Sequence, residues 1–308
     1  MSFQPLFRKF DEAIKLRRYK ENKELNEKSK IILDRIRDKI AVPHTFQFFP
    51  QGSYVMGTGV KPLNGDYDID IGVEFNVCCD DYPPVTVKGW VYDAVKEHTQ
   101  DVAWRGPCIT VGYKKGGQRT YHVDLAIMAK DRYGTGLRLA RGKQNAAPKD
   151  QSWQPDDRRA FMQAVENRFP DERGEQFRRV IRYLKRWKDV HFPAEGRSAP
   201  TGLSLTLAAY WWFSPVEQDD LRATQNLVDK LRGSFSPVWD QATQRQIRRL
   251  SLRFPFPPAD DLLERMSNEQ QQQFYQRLEK LAGWLEDARR NSKVSPLQTA
   301  FGKDFPEK

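Results

Sequence analysis

Residues 49–75, FPQGSYVMGTGVKPLNGDYDIDIGVEF, limit what this chain can fold into more than any other stretch. A strand-like apolar run (Phe46, Phe48, Phe49) leads into Gln51-Gly52-Ser53, and a short helix-compatible segment follows. Asn64-Gly65 marks a turn. Beyond it, Asp66, Asp68 and Asp70 recur at period two. On a strand, Asp68 and Asp70 then share one face while Ile69 and Ile71 share the other. Neighbouring carboxylates repel, and a divalent cation that favours oxygen, such as Mg²⁺, relieves the repulsion. Gly52-Ser53 at a helix start offers N–H groups and a hydroxyl to a phosphate. A phosphate cradle beside a metal site is the equipment for phosphoryl or nucleotidyl transfer. Asp-x-Asp alone also fits a hairpin with solvated acids, because the pattern is common. The glycine-serine pair upstream and a third acid downstream weigh against that reading.

The third acid is Asp124. In residues 120–129, TYHVDLAIMA, Val123, Leu125 and Ile127 alternate with His122, Asp124 and Ala126, which reads as a strand. Aspartate is depleted in strands, so Asp124 calls for a reason. It is either an exposed position on a half-buried strand or a third metal ligand beside Asp68 and Asp70.

With 308 residues the chain can bury a sizeable core, and two lobes are expected, residues 1–155 and 156–308. Lys and Arg number 51 against 41 Asp and Glu, a net charge of +10, which predicts an anionic partner. The cations lack the aromatic spacing of a base-stacking platform, so dedicated nucleic-acid readout is not indicated. Three cysteines, Cys78, Cys79 and Cys108, make no disulfide framework and fit a reducing cytoplasm. No long apolar core opens the chain and no window reaches the length of a membrane span. A cytoplasmic location without a membrane partner is therefore expected.

Residues 3–40 read as helical, with apolar stripes at Phe3, Leu6, Phe7, Phe10, Ile14 and at Ile32, Leu33, Ile36, Ile40. The polar middle predicts one long helix exposed there, or two helices. Residues 77–84 read as a loop, 85–98 as a helix and 108–113 as a short strand. Residues 131–154, basic and rich in Gly and Ala, read as an irregular crossover between lobes. From Asp156 the pattern is helical. Asp156-Asp157 can cap a first helix. Residues 174–191 place Phe177, Val180, Ile181, Leu184 and Trp187 on one side, with Arg178, Arg182 and Lys185 on another face. Arg178 and Arg186 read as solvated. Thr201 is an N-cap candidate for an apolar helix over 203–213, a role compatible with phosphate contact. Residues 218–231 and 261–291 read as helices, the latter as two.

Together these residues resemble the active-site pattern of the polymerase-β-like nucleotidyltransferases: Gln51-Gly52-Ser53, then Asp68-Ile69-Asp70-Ile71-Gly72, then Val123-Asp124-Leu125. Within that superfamily the chain resembles the bacterial cyclic-oligonucleotide synthases of the CD-NTase family, relatives of animal cyclic GMP-AMP synthase and oligoadenylate synthase. Residues 182–188, RYLKRWK, look like the family's helix with a phosphate-binding lysine. Ala199-Pro200-Thr201-Gly202 looks like its Pro-Ser-Gly helix start, with Thr201 where the family has Ser. Residues 301–306 resemble its usual chain end. The resemblance covers about residues 45–306.

The resemblance implies an α+β fold in which an N-terminal nucleotidyltransferase lobe carries a mixed sheet and a C-terminal helical lobe closes the nucleotide cleft. It implies condensation of ATP, often with GTP, into a cyclic di- or trinucleotide with release of pyrophosphate. In bacteria such a product activates an effector in CBASS anti-phage defence. Asp68, Asp70 and Asp124 would hold two Mg²⁺ ions, with Mn²⁺ as a substitute. Ser53 and the backbone of Gly52 would hold phosphates, with Gln51 at the same cradle. Lys185 and Thr201 would reach phosphate from the other lobe, with Arg182 the alternative to Lys185. Asp66/Asp68 is an alternative register for the acid pair. Asp68/Asp70 is preferred because the pair stands directly before Ile71-Gly72. Tyr54, Tyr210 and Trp211 are candidates to stack on a base. A monomer that does not require nucleic acid is expected. Template-free RNA tailing or tRNA-end transfer is the competing enzymatic reading, and a non-catalytic binding protein on the same fold is the third.

Overall fold

The structure is a computed structural model that describes residues 2–16, 23–192, 198–257 and 259–307. The N-terminal polar stretch separates two helices, α1 (Gln4–Ile14) and α2 (Lys23–Lys39). The apolar stripe of α1 packs into the helical half of the molecule, beside Phe177, Tyr183 and Leu184. Ile32 and Ile36 of α2 are buried under the sheet instead.

Strand β1 (Phe46–Pro50) and a single helical turn, α3 (Gly52–Val55), precede β2 (Tyr67–Cys78). After α4 (Pro84–Val95) come β3 (Asp101–Trp104), β4 (Ile109–Lys115) and β5 (Gln118–Lys130). The sheet is mixed and seven-stranded, in the order β1-β2-β5-β4-β3, with a sixth strand branching from β5 and a seventh paired to the sixth. Only the β2–β5 pairing is parallel among the described strands. Its register sets Asp68 beside His122 and Asp70 beside Asp124. The two added strands are β6 (Leu137–Arg141) and β7 (Ser152–Pro155). They correct the expected irregular crossover over 131–154. β6 pairs with the end of β5, and β7 pairs with β6.

Period-two alternation divides β2 between two environments. Ile69, Ile71, Val73 and Phe75 are buried with Val87 and Val91 of α4. Each such side chain, fully buried, contributes about 1.5–3 kcal/mol. Asp68, Asp70, Gly72 and Glu74 occupy the other face. There Glu74 pairs with Arg159 of α5 (Arg158–Glu166), the first helix of the C-terminal half.

That half continues with α6 (Asp171–His191), α7 (Gly202–Trp212) and α8 (Asp220–Gly233). A hairpin, β8 (Ser236–Asp240) and β9 (Arg245–Arg249), is followed by α9 (Asn268–Asn291) and α10 (Ser295–Phe301). Residues 261–291 thus hold one helix, not two. It starts at Ser267, whose hydroxyl and the Gln270 side chain cap each other's backbone N–H groups. Asp157 makes no side-chain cap to α5, while Asp156 Oδ1 accepts from Arg158 N at 3.1 Å.

Helix α6 packs against α1, α7, α8 and α10, and five of its cations, Arg178, Arg179, Arg182, Lys185 and Arg186, are buried. Arg178 and Arg186, expected to be solvated, are 8% and 2% exposed. Arg186 donates to Lys61 O at 2.8 Å and pairs with Asp304 at 3.2 Å. Arg178 pairs with Glu175. Arg182 binds Asp11 of α1 through two nitrogens and also donates to Gly57 O. Lys185 donates to Thr58 O at 3.0 Å. Three cations of α6 therefore hold carbonyls of the 57–61 segment, which ties the sheet half to the helical half. No helix among the described residues is long and apolar enough to cross a membrane.

Candidate active site

A cavity of about 440 Å³ opens between the acid-bearing face of the sheet and the helical half. Its sheet-side lining includes Gln51, Gly52, Ser53, Asp66, Asp68 and Asp70. Its helical-side lining includes Arg158, Lys185, Lys188, Asp189, Gly202 and Thr206. Elements that the sequence sets far apart thus share one cleft.

Gly52 has φ +75°, a conformation side chains rarely adopt. A Cβ there would overlap the Asp70 carboxylate. The backbone therefore lies directly against the acid, and Gln51 N also donates to Asp70 O at 2.9 Å. Gln51 is buried, and its Nε2 lacks a partner among the described residues. It lies over Gly72, where any Cβ would overlap Gln51 Nε2 and the Phe49 ring. Ser53 lines the cavity one residue after the turn.

Burial first, then the charges of Asp68 and Asp124, push Asp70 up to about 7. Burial likewise raises Asp124, against the lowering effect of Thr110, whose hydroxyl donates to Asp124 Oδ1 at 2.6 Å. Carboxylates held close together in this way favour a bound cation. Asp68, His122 and Asp124 each offer one ligand atom, all within 4.8 Å of one another. Their oxygen-rich chemistry fits a hard divalent ion. Asp70 stands beside Asp124, with its own carboxylate turned against Gly52.

Lys185 is buried, and burial lowers it to about 7, with the neighbouring charge of Lys188 acting the same way. Its Nζ has only the carbonyl and the hydroxyl of Thr58 as protein partners among the described residues, at 3.0 and 3.1 Å. Arg182, the alternative, is occupied by Asp11 and Gly57 and is absent from the lining. Thr201 is the N-cap of α7 and accepts from Ser204 N at 3.0 Å. The cavity is lined by the residues after it, Gly202 and Leu203, rather than by Thr201 itself.

Of the aromatic candidates, Tyr210 and Trp211 do not line this cavity. Tyr54 does, but it is buried in the sheet core, with its hydroxyl unpartnered among the described residues. The half-buried aromatic in the lining is Tyr67. Sequence reasoning missed Tyr67, Arg158, Lys188 and His122. For His122 a signal existed, since it shares the Asp124 face of β5 at period two. Burial lowers the His122 imidazole, but hydrogen bonds to Asp68 and Asp66 outweigh it and raise the group to about 9.

Residues 46–128 match the family described as "Cyclic GMP-AMP synthase DncV-like, nucleotidyltransferase domain". Among solved structures, the chain is similar to the CD-NTase CdnG of Bradyrhizobium diazoefficiens in complex with GTP. That match has TM-score 0.71 and 18% identity over 96% of this chain and 94% of that one. The GTP-bound form of Vibrio cholerae DncV matches with TM-score 0.67 and 18% identity, covering 99% of this chain and 81% of DncV. The same protein in complex with the linear intermediate 5′ pppA(3′,5′)pG matches at TM-score 0.62 and 17% identity, covering 99% and 82%. Residues 46–128 thus match a DncV-like nucleotidyltransferase domain, and the chain as a whole has the fold seen in the bacterial CD-NTases.

Proposed function

We propose that this protein condenses nucleoside triphosphates, ATP alone or with GTP, into a cyclic oligonucleotide and releases pyrophosphate. The observation that carries the proposal is the single cleft in which Gly52 and Ser53, Asp68 and Asp70, and Lys185 meet. GTP and a linear dinucleotide intermediate in structures of the same fold support the substrate class.

In this reading Asp68, Asp70 and Asp124 hold two divalent ions, Mg²⁺ or Mn²⁺. When bound, such ions lower the pKa of an attacking ribose hydroxyl and steady a leaving pyrophosphate. Gly52 brings its backbone close to the metal-side carboxylate, and Ser53 offers a hydroxyl to the β/γ-phosphates. Lys185, with neutral partners only, turns its ammonium toward the triphosphate from the helical side. Arg158 and Lys188 line the same cleft, each already paired with an acid, Asp156 and Asp189. Thr201 acts through the α7 start, holding Gly202 and Leu203 in place at the cleft. Tyr67 is the aromatic best exposed to a base.

The product would serve as a second messenger for a downstream effector in CBASS defence, in a reducing cytoplasm. That role is the one the family resemblance implies. RNA tailing is less favoured, because the full-length fold matches are to CD-NTases. The test is incubation of the purified chain with Mg²⁺ and labelled NTPs, each alone and in pairs, without RNA. Phosphatase-resistant small products are expected. Products that form only after RNA is added would move the assignment to tailing.

A further inference from the structure

Asp66 precedes the acid pair and could itself be read as a metal ligand. The structure gives its carboxylate a different partner. His122 Nδ1 lies 3.0 Å from Asp66 Oδ1, and the opposite ring nitrogen, Nε2, lies 3.3 Å from Asp68 Oδ1. The imidazole thus stands between two carboxylates, one on each nitrogen. The two ends differ in reach. The Asp68 side chain is 56% exposed at the cleft, while those of Asp66 and His122 are 20% and 19% exposed. The contact follows from the fold: parallel β2–β5 pairing sets Asp68 directly beside His122, one step before Asp70 beside Asp124. Asp124 has an equivalent support, the Thr110 hydroxyl on β4.

We propose that His122 is a positioning residue for the metal-binding acids, with Asp66 fixing its ring so that Nε2 orients the Asp68 carboxylate toward the ion. The order Asp66–His122–Asp68 is then support, link and ligand. This assigns Asp66 to the support of the site and leaves Asp68 as the acid that reaches the cation. Outer partners of metal ligands of this kind tune affinity by about 10–100-fold. The inference rests on the metal-site reading of Asp68 and Asp70.

Two near-isosteric substitutions separate the two ends of the ring. The amide nitrogen of glutamine overlays Nε2, so His122→Gln keeps a donor to Asp68. That of asparagine overlays Nδ1, so His122→Asn keeps the Asp66 contact and loses Asp68. Mn²⁺ is titrated into the full-length protein and the free ion is followed by electron paramagnetic resonance, with thermal melting of each variant measured in parallel. His122→Asn is expected to weaken Mn²⁺ binding about tenfold and His122→Gln by less than about threefold. Equal Mn²⁺ affinity in wild type and His122→Asn overturns the proposal. So does a lowered melting temperature without a change in affinity, since that marks a purely structural ion pair. Losses of equal size in both variants also overturn it, because the Asp68 contact would then not be what matters. The combined Asp68→Asn and Asp70→Asn variant tests the underlying site by itself. If it binds Mn²⁺ like wild type, the metal-site reading fails. If it loses Mn²⁺ while His122→Asn does not, only the present inference fails.

Discussion

Two regions of this molecule bury charge, and they do so in opposite ways. In the helical half, Arg179 and Asp220 are 2% and 0% exposed at their side chains and meet through two nitrogens at 2.7 and 2.9 Å. Tyr183, Gln176 and Gln4 complete the hydrogen bonding of Asp220. Burial opposes both charges, yet the pairing holds Arg179 above its ordinary range and Asp220 below its own. In the cleft, Asp70 and Asp124 lie beside further acids and are pushed up, while Lys185 has uncharged partners and is pushed down. The ionised forms are favoured in the first region and disfavoured in the second. Charges that hold the fold carry their counter-charge with them. Asp70, Asp124 and Lys185 in the cleft instead wait for a counter-charge from outside, a cation for the acids and a phosphate for the lysine.

Removing charge from the two regions should therefore have opposite consequences. Asp68→Asn combined with Asp70→Asn should lower product formation by at least about a thousandfold, with no loss of thermal stability. Steady-state turnover and melting of the same preparation check both halves of that statement. Asp220→Ala should do the reverse. It leaves Arg179 buried with only the exposed Glu172 as an acid partner, a loss of up to about 3–5 kcal/mol of stability, measurable by urea unfolding. Nucleotide binding at temperatures where the variant stays folded should hardly change.

Lys185→Met keeps the buried stem and removes the ammonium. ATP affinity should fall about ten- to a hundredfold, the worth of a hydrogen bond to a charged group at about 1.5–3 kcal/mol. Ser53→Ala should act in the same direction and within the same range. Because Lys185 is lowered to about 7, the folded state holds fewer protons than the unfolded state above that pH. Its contribution to stability therefore rises with pH from about 7 toward the ordinary lysine range, about 10.4. The Met variant should lack that slope. If stability drops sharply in Lys185→Met at neutral pH, the lysine belongs with the structural charges and the contrast fails there.

The smallest effect concerns protons. Asp70, raised to about 7, is largely protonated at pH 6 and largely ionised at pH 8. A ligand must be deprotonated, so Mg²⁺ binding should release up to about one proton at pH 6 and far less at pH 8. Calorimetry in buffers of different ionisation enthalpy measures this directly. Equal release at both values would remove Asp70 from the ion's ligands. In the metal-free protein the same shift makes stability fall as pH rises from about 4 toward 7.

How much of this was legible in the sequence depended on how local the cause was. Asp68 and Asp70 sit on one face because strands alternate, and Asp124 interrupts an apolar run, so both were readable from a few neighbouring residues. Gly52 was readable as a turn before a helix, though its overlap with the Asp70 carboxylate was not. The burial of Arg179, Arg182 and Arg186 was not readable, because their partners Asp220, Asp11, Lys61 and Asp304 lie far away in the chain. Strands β6 and β7 were missed for a related reason. Their five and four residues carry no alternation strong enough to mark them, and β6 is held by pairing to the end of β5 and β7 by pairing to β6. The β8–β9 hairpin is similarly short. The resemblance implies a phosphate role for Lys185, but its depth comes from packing against Thr58 and Gly202.

The most direct test of the contrast is the melting of Asp70→Asn beside the wild type, without metal at pH 8 and again with Mg²⁺ and ATP. The account predicts that the metal-free variant melts at or above the wild type, because a buried charge with like-charged neighbours is gone. It also predicts that the stabilisation by Mg²⁺ and ATP is largely lost. A metal-free variant that melts several degrees lower, yet keeps the full stabilisation by Mg²⁺ and ATP, would place Asp70 among the charges that hold the fold and contradict the account.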